Sequence, residues 1–405
     1  MERTTSPPKR EARYGWSLVL ILDKMPKYFV IKLSLLGIIS SVLFTVCVMS
    51  QDKSSQENQN EQIANWKTNV KKRSIELSEI MSGGVPKDGI SALDAPKFVS
   101  INEAGKWLKT NEPVISLEIG GEARAYPLQI LIWHEIINDE IKGQPVAVTF
   151  CPLCYTAIAF DRKLEGKVYS FGVSGMLRHS DMIMFDRQTE SWWQQISGEA
   201  IVGDLTGKTL NQFPAQIVSF AQFSGAFPEG KVLSRETGYN RDYGRNPYVG
   251  YDNIDQKPFL FKGKTDERLR PMEKVVTVEI NKIFKAYPYS ITRQKRVVHD
   301  RVNSTEIVVF HSDGASSALD ASDIGKSKDA GSTGVFFPEI NGQKLTFKYD
   351  NGEFIDEETR SRWNIFGKAV SGKLQGKQLR QIRHGDYFAF AWIVFNPKTE
   401  IYKEK

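Results

Sequence analysis

Short apolar or alternating runs recur along the chain from about residue 110 onward. They are rich in Val, Ile, Phe and Tyr, and Gly, Asn and Asp separate them, which is the pattern of strands joined by turns. The runs are Val114–Ile119, Val146–Phe150, Val168–Val173, Met182–Phe185, Val275–Ile280, Ile307–Phe310 and Lys344–Tyr349. Helical segments are few, namely Ile101–Thr110, Leu128–Ile137 and Phe213–Phe223. The pattern predicts a β-dominated α+β fold.

The sequence also resembles itself at three places, which indicates an internal repeat. The matching segments are 114–130 with 275–291, 146–161 with 306–320, and 185–210 with 355–379. The first pair shares an Ala-Tyr-Pro triplet, and the second sets Cys151 opposite His311. Two homologous strand-rich units with a pseudo-twofold internal repeat are the simplest explanation.

The repeat and the composition together divide the chain into six segments. We expect a cytoplasmic segment or signal n-region at 1–32, a transmembrane anchor or signal peptide at 33–49, a polar linker at 50–83, a first unit at 84–224, a connecting loop region at 225–273, and a second unit at 274–405.

The apolar run Leu33–Met49 has no charged residue and follows Lys24, Lys27 and Lys32. A basic flank before an apolar run is typical of an export signal or a signal anchor. The run is short for a bilayer span and long for a cleavable signal, so both fates remain open. We expect an extracytoplasmic protein, periplasmic or at the cell surface, that is anchored to the membrane.

Two details of this N-terminal region have alternatives. Met25 is a second plausible start, because a signal of ordinary length follows it. Cys47 is a candidate lipid acceptor, although Phe44-Thr45-Val46 before it lacks the expected small residue.

The composition excludes several classes of protein. A chain of 405 residues with 40% apolar and 25% charged side chains can bury a large core. The net charge of +6 is dispersed, and its nearest basic cluster is only Lys71-Lys72-Arg73, which argues against a nucleic-acid binder. Three cysteines, one of them in the apolar run, are too few for a disulfide-stapled scaffold.

The remaining two cysteines, Cys151 and Cys154, form a Cys-Pro-Leu-Cys motif directly after an apolar strand. Such a pair can close a reversible disulfide or supply two thiolates to a soft metal. A structural disulfide is the alternative, although so short a loop would stabilise the fold little. Because the thiols occur only in the first unit, that unit is the better candidate for the active half.

Two histidines could assist the thiols. His134 lies among apolar residues before the strand that carries Cys151, and it is predicted to be a third metal ligand or the base that deprotonates a cysteine. A buried, hydrogen-bonded histidine is the alternative. His179, with Asp181 two residues later, is a second candidate ligand, and simple surface exposure explains it equally well.

Part of the polar sequence around these positions recurs in the second unit, where no thiol exists. The matched residues are Asp186 with Asp356, Ser191 with Ser361, and Trp193 with Trp363. We therefore expect these residues to serve the scaffold.

A polar and aromatic loop lies outside the repeats. Its candidate substrate-binding residues are Arg241, Asp242, Tyr243, Arg245 and Tyr248. Guanidinium groups interleaved with tyrosines suit an anionic or carbonyl-bearing ligand. A domain interface built on Arg–Asp pairs fits the same residues.

Taken together, AYPLQILIWHEIIND, VAVTFCPLCYTAIAFDR, GVSGMLRHSDMIMFDRQTESWWQQISGEAIVG and RDYGRNPYVGYD resemble the uncharacterised DUF3179 family over most of residues 84–400. The resemblance implies an extracytoplasmic location and a Cys-Pro-x-Cys motif, carried here by Cys151, Pro152 and Cys154. Some relatives are classed as selenoproteins, which implies redox or metal chemistry at this motif. The chain departs from many relatives at His179, where they have Asn.

We therefore expect a thiol-dependent redox or soft-metal site, with the loop 241–248 shaping access to it. Copper is expected first, because two thiolates and an imidazole suit Cu(I), and zinc second. The protein would then be a thiol- or copper-dependent oxidoreductase or a copper metallochaperone. A non-catalytic binding module with bridged cysteines is the alternative. Expected partners are the membrane and a small molecule or redox partner, and not nucleic acid.

Overall fold

The computed structural model describes residues 66–404. The predicted cytoplasmic segment 1–32, the apolar run 33–49 with Cys47, and the linker up to residue 65 lie outside the described residues. Between residues 66 and 404, none of the helices has both the length and the apolar character needed to cross a bilayer.

Strands dominate the described part of the chain, as the alternating pattern predicts. Up to the middle of the chain they are β1 (Ile80–Ser82), β2 (Leu93–Asp94), β3 (Phe98–Ser100), β4 (Pro113–Ile119), β5 (Glu122–Pro127), β6 (Ile136–Ile141), β7 (Gln144–Cys151), β8 (Thr156–Asp161), β9 (Lys163–Leu164), β10 (Lys167–Val168), β11 (Phe171–Arg178), β12 (Asp181–Asp186), β13 (Trp192–Gln194), β14 (Glu199–Val202), β15 (Gln212–Phe213), β16 (Ala215–Ser219) and β17 (Lys231–Leu233).

The remaining strands follow the connecting region. They are β18 (Lys274–Ile280), β19 (Ile283–Pro288), β20 (Val297–Val302), β21 (Thr305–Ser312), β22 (Ser332–Phe336), β23 (Glu339–Ile340), β24 (Gln343–Lys344), β25 (Phe347–Asp350), β26 (Glu353–Asp356), β27 (Arg362–Trp363), β28 (Ala369–Ser371), β29 (His384–Phe388) and β30 (Glu400–Ile401). The α-helices are Ile101–Ala104, Leu128–His134, Phe220–Ala226, Tyr289–Lys295 and Ala389–Phe395, and short 3₁₀ turns occupy Leu77–Glu79 and Ile324–Lys326.

The three helices predicted in the first half are shorter than expected, for local reasons. The predicted helix 101–110 is a single turn that ends at Ala104. The helix from Leu128 ends at His134, because Glu135 takes a positive φ of 58° and β6 begins directly after it. Phe213 ends β15 and residues 215–219 form β16, which pairs with β4, so the helix begins only after Ser219, its N-cap.

The same order of elements occurs twice along the chain. A hairpin (β4–β5) leads through a helix to a meander (β6–β7–β8), and β18–β19 leads in the same way to β20–β21–β22. A four-stranded meander then follows in each half, β11–β14 and β25–β28. Each half ends with a strand that pairs antiparallel with its first strand, a helix, and a short strand parallel to its second strand.

Strand register refines the alignment of the two halves. Ile136 pairs with Thr149 at the start of the β6–β7 hairpin, and Val297 pairs with Phe310 at the start of β20–β21. Counting from these pairs, Cys151 corresponds to Ser312 and not to His311, which lies one residue earlier. The sequence alignment had missed this one-residue shift because the two hairpins differ in composition.

The folded part begins earlier than the predicted first unit. Trp66 packs edge-on against Phe185, with ring centroids 4.9 Å apart, and β1 pairs with β11. Residues 66–83 are therefore part of the fold rather than linker. In the region 225–273, β17 joins the sheet beside β5 and β3.

The largest apolar core runs through both halves. It contains Phe150, Cys151 and Cys154 from the first half together with Val275 and Phe388 from the second. A backbone hydrogen bond of 3.0 Å from the N–H of Phe388 to the carbonyl of Cys154 joins the halves at the cysteine turn. The thiol motif therefore lies where the two halves meet.

Candidate thiol–carboxylate site

The β7–β8 hairpin presents the two cysteines. Cys151 is the last residue of β7 and pairs with Thr156, the first residue of β8. Tyr155 closes the turn with a positive φ of 56°, and its N–H donates to the carbonyl of Pro152 at 3.4 Å. Both cysteines are buried free thiols. A tight turn thus holds two sulfurs inside the core.

A third potential ligand comes from the neighbouring turn between β11 and β12. His179 and Ser180 both take positive φ angles, 52° and 71°, which is the geometry of a two-residue hairpin turn. The turn delivers Asp181 to the thiols, so that one oxygen of its carboxylate and the two Sγ atoms all lie within 4.8 Å of one another. We call Cys151, Cys154 and Asp181 the thiol–carboxylate cluster, and all three are buried.

Within residues 66–404, only one of the two carboxylate oxygens of Asp181 accepts hydrogen bonds from N–H groups. Its Oδ2 accepts hydrogen bonds from Nε2 of Gln194 at 2.6 Å and from the N–H of Ile196 at 3.0 Å. Its Oδ1 is buried and accepts no hydrogen bond from an N–H or O–H group among residues 66–404, and the thiol of Cys154 lies close enough to the carboxylate to act as a donor. A buried acceptor that only a weak thiol donor can reach costs stability and marks a place that a cation would satisfy.

A second buried carboxylate, Glu135, follows the helix Leu128–His134. The N–H of Phe150 donates to its carbonyl at 2.8 Å, which places Glu135 beside the end of β7. Burial raises the pKa of Glu135 to about 8, and the nearby Asp181 adds to this effect.

Burial also disfavours charge on the cluster itself. It raises the pKa of Asp181 to about 7, against the opposing effect of its hydrogen bond from Gln194. It raises the pKa of the Cys154 thiol well above its usual range, and Cys151 and Asp181 raise it further. The site therefore holds protons near neutral pH, and a cation would have to displace them.

His134 does not lie with the thiols. One ring nitrogen, Nδ1, is 2.7 Å from the carbonyl of Ser91, and the other, Nε2, is 2.6 Å from the hydroxyl of Tyr243. A carbonyl only accepts, so Nδ1–H donates to Ser91 and Nε2 accepts from Tyr243. Burial lowers the pKa of His134. These contacts match the alternative of a buried, fully hydrogen-bonded histidine, and they leave no ring lone pair for a metal.

His179 is also separate from the cluster. Its Nε2 lies 3.6 Å from Oε2 of Glu79, and its ring contacts the rings of Phe261 and Phe395. In this turn it is Asp181, two residues after His179, that lies near the thiols.

Four of the five predicted substrate-binding residues are exposed or bonded to residues outside the thiol–carboxylate cluster. Arg241 and Asp242 are exposed, and Arg245 is exposed with its guanidinium 3.5 Å from Asp242. The hydroxyl of Tyr243 is hydrogen-bonded to His134 and to Thr237. The one Arg–Asp pair among these residues, Arg245 with Asp242, is exposed at the surface.

Tyr248 is the loop residue that does reach the site. Burial raises the pKa of Tyr248, and the nearby Glu135 and Cys151 raise it further. Its phenol thus contributes to the surroundings of the cluster.

Tyr251 is a residue that the motif analysis did not single out. Its hydroxyl donates to the carbonyl of Leu153 at 3.1 Å and accepts from the N–H of Phe259 at 3.2 Å. Ser180 donates to the carbonyl of Phe259 at 2.5 Å. The segment around Phe259 is therefore tied to both turns that build the cluster.

A cavity of about 690 Å³ adjoins the cluster. Gln194 and Ile196, which bind the Asp181 carboxylate, form part of its wall. Arg178 and Tyr387 line it as well, and both interact electrostatically with Asp181. The cavity therefore lies next to the two residues that hold the Asp181 carboxylate.

Comparison with known proteins gives a family and no activity. Residues 87–399 match the family described as a protein of unknown function, DUF3179. No curated protein and no solved structure matches the chain. Because the match covers well over half of its length, the chain belongs to the DUF3179 family.

Proposed function

We propose that this is an extracytoplasmic, membrane-tethered protein whose Cys151, Cys154 and Asp181 bind a metal ion. The observation that carries the proposal is the approach of two Sγ atoms and one carboxylate oxygen to within 4.8 Å of one another in a buried place. Thiolate and carboxylate are established ligands of zinc and related ions, and burial excludes competing water.

The surroundings favour metal binding over thiol–disulfide exchange. Reactive redox cysteines lie in electropositive, partly exposed places that stabilise the thiolate. Here both thiols are buried, the carboxyl group of Asp181 interacts with Cys154, and a second buried acid, Glu135, interacts with Asp181. These acidic groups would stabilise the charge of a bound cation, whereas they would destabilise the thiolate that disulfide exchange requires. Redox exchange therefore stays the second candidate, favoured by the two-residue spacing of the cysteines.

The ligand set also bears on which metal binds. The expectation of copper depended on His134 as the third ligand. The imidazole of His134 is instead hydrogen-bonded to Ser91 and Tyr243. Two thiolates and a carboxylate with a fourth position open suit zinc, while copper(I) needs only the two thiolates. We therefore place zinc ahead of copper, with the use of Asp181 as the discriminating feature.

The two halves of the fold are best explained by duplication of an ancestral unit, with the site kept in the first copy. The repeated order of elements supports this origin, as does the correspondence between Cys151 and Ser312. Membrane tethering rests on the basic flank and the apolar run 33–49.

The test is metal analysis of the full-length protein, purified in detergent under reducing conditions. We expect about one equivalent of zinc or copper(I) per chain, lost in Cys151→Ser and in Cys154→Ser. Cys47→Ser removes a thiol outside the site and is the matched control, which keeps its metal. Asp181→Asn should weaken zinc and leave copper(I) largely bound. A metal-free wild type, or a metal that survives Cys151→Ser, would contradict the proposal.

Thiol titration of the same samples separates the second candidate. A wild-type protein without metal, in which Cys151 and Cys154 cycle reversibly between thiols and a disulfide, would identify a redox site instead.

A further inference from the structure

We propose that Gln194 is a positioning residue of the metal site, which engages one oxygen of the Asp181 carboxylate, Oδ2, and so orients the carboxylate towards the ion with Oδ1 left for binding. The inference rests on the proposed metal function. Gln194 lies in β13, next to β12, which begins at Asp181, and its side chain is fully buried.

The orientation of the Gln194 carboxamide is fixed by its two neighbours. Its Nε2 donates to Oδ2 of Asp181 at 2.6 Å, and its Oε1 accepts from Nη1 of Arg178 at 3.4 Å. A guanidinium only donates and an ionised carboxylate only accepts. A rotated amide would face both neighbours with the wrong group, so a single orientation satisfies them.

Arg178 is itself anchored at the edge of the fold. Its guanidinium pairs with the carboxylate of Glu79, with contacts of 2.7 and 2.9 Å. A chain of contacts therefore runs from Glu79 through Arg178 and Gln194 to Asp181. Each link limits the rotation of the next, and the last link leaves Oδ1 of Asp181 without an N–H or O–H donor among residues 66–404.

Hydrogen-bonded groups behind a metal ligand orient it, and their loss typically weakens metal binding about 10- to 100-fold. The carboxylate of Asp181 has one other donor to Oδ2, the N–H of Ile196. With that bond alone the carboxylate can turn about it. Gln194 therefore fixes the direction of the carboxylate. Its loss should lower metal affinity by more than its effect on folding stability explains.

The first experiment measures zinc affinity of the full-length protein by competition with a coloured zinc indicator at constant pH. We expect Gln194→Met, which keeps the length of the side chain without its donor, to bind zinc 10- to 100-fold more weakly. Gln194→Glu keeps the contact with Arg178 and cannot donate as a carboxylate, so it should lose at least tenfold. Gln216→Met is the matched control, because Gln216 is a buried strand glutamine that donates to the carbonyl of Thr333 and touches no member of the cluster.

A second, metal-free experiment tests the contact itself. Urea unfolding of Gln194→Met, Asp181→Ala and the double variant forms a double-mutant cycle. We expect the double variant to lose less stability than the sum of the single variants, whereas Gln216→Met combined with Asp181→Ala should be additive.

The outcomes are distinguishable. Coupling in the cycle together with unchanged zinc affinity in both Gln194 variants would overturn the positioning role. An equal loss of affinity in Gln216→Met would overturn it as well, by showing a general effect of a lost amide. A wild-type protein that binds no zinc and no copper(I) contradicts the proposed function, and the absence of coupling would then also remove the contact between Gln194 and Asp181.

Discussion

At the scale of single residues, Glu135 bears a large electrostatic penalty beside the site. Burial raises its pKa from 4.5 to about 8, with a further contribution from Asp181. Between these two values the folded protein keeps a proton on Glu135 that the unfolded chain releases. Stability from this group is therefore complete below about pH 4.5 and is lost as the pH rises towards 8.

The variant Glu135→Gln should remove this loss. We expect its free energy of unfolding, measured by urea titration at pH 5, 6.5 and 8, to fall less with rising pH than that of the wild type. The difference at pH 8 should amount to a few kcal/mol, because each unit of pKa shift corresponds to about 1.4 kcal/mol. Glu140→Gln, at an exposed position in the adjacent β6, is the control and should follow the wild type. If the free energy of unfolding changed with pH in the same way in all three proteins, the electrostatic penalty of Glu135 would be refuted.

The site was only partly predictable from its residues. Two sulfurs separated by two residues after a strand must lie close together, and the structure brings them into one cluster. The structure does not place His134 in this cluster, because its ring nitrogens contact Ser91 and Tyr243, which lie 43 and 109 residues away and which no local pattern reveals. The sequence does contain a signal for the two buried acids, since Glu135 is a charged residue in the apolar segment ILIWHEII and Asp181 follows a turn.

At the scale of elements, one turn is built with the same bonds in both halves. Oδ2 of Asp186 accepts from Nε1 of Trp193 at 3.0 Å, and Oδ2 of Asp356 accepts from Nε1 of Trp363 at 2.9 Å. In each turn Oδ1 of the aspartate also accepts the backbone N–H three residues later. The expected scaffold role of these residues is in keeping with this duplicated network, which recurs in the half that has no thiols.

Replacing either aspartate by asparagine should destabilise the protein to a similar extent. An amide cannot accept at both ends, so one of the buried donors around it loses its partner, at a cost of about 1–3 kcal/mol. The measurement is urea unfolding of Asp186→Asn and Asp356→Asn, with Asp350→Asn at an exposed position of β25 as control. A loss in one half alone would show that the two turns are not equivalent.

The elements that sequence patterns predicted best are those whose neighbours are close in the chain. The alternation of Val114–Ile119 and Val275–Ile280 predicts the strands β4 and β18, whereas their hairpin partners β5 and β19 were not predicted. The segment before Phe220 was misassigned, because its apolar residues suit a helix and only the distant strand β4 makes it a strand. Pairing over about 100 residues is a tertiary effect that overrides local propensity.

At the scale of the whole molecule, the shared core predicts cooperative unfolding. Phe150 and Val275 belong to one apolar cluster although they come from different halves, so neither half can expose its face without exposing the other. The most protected amides of β7 and β21 should then exchange hydrogen with the same free energy and the same dependence on urea.

Hydrogen-exchange mass spectrometry of the full-length protein measures this. The short β9–β10 hairpin, partly exposed, is an internal control that should exchange by local opening. Protection lost at clearly lower urea in β21 than in β7 would mean that the halves fold independently.

The bonds of Tyr251 and Ser180 to the segment around Phe259 have a kinetic consequence. This segment is hydrogen-bonded to the two turns that carry the proposed ligands. In the proposed metal-bound protein, a chelator can therefore reach the ion only after these hydrogen bonds break. Ion release should therefore level off at high chelator concentration, at a rate set by the chain itself. Tyr251→Phe, which lacks the hydroxyl, should shorten the half-life of the loaded protein while leaving its equilibrium affinity much less affected.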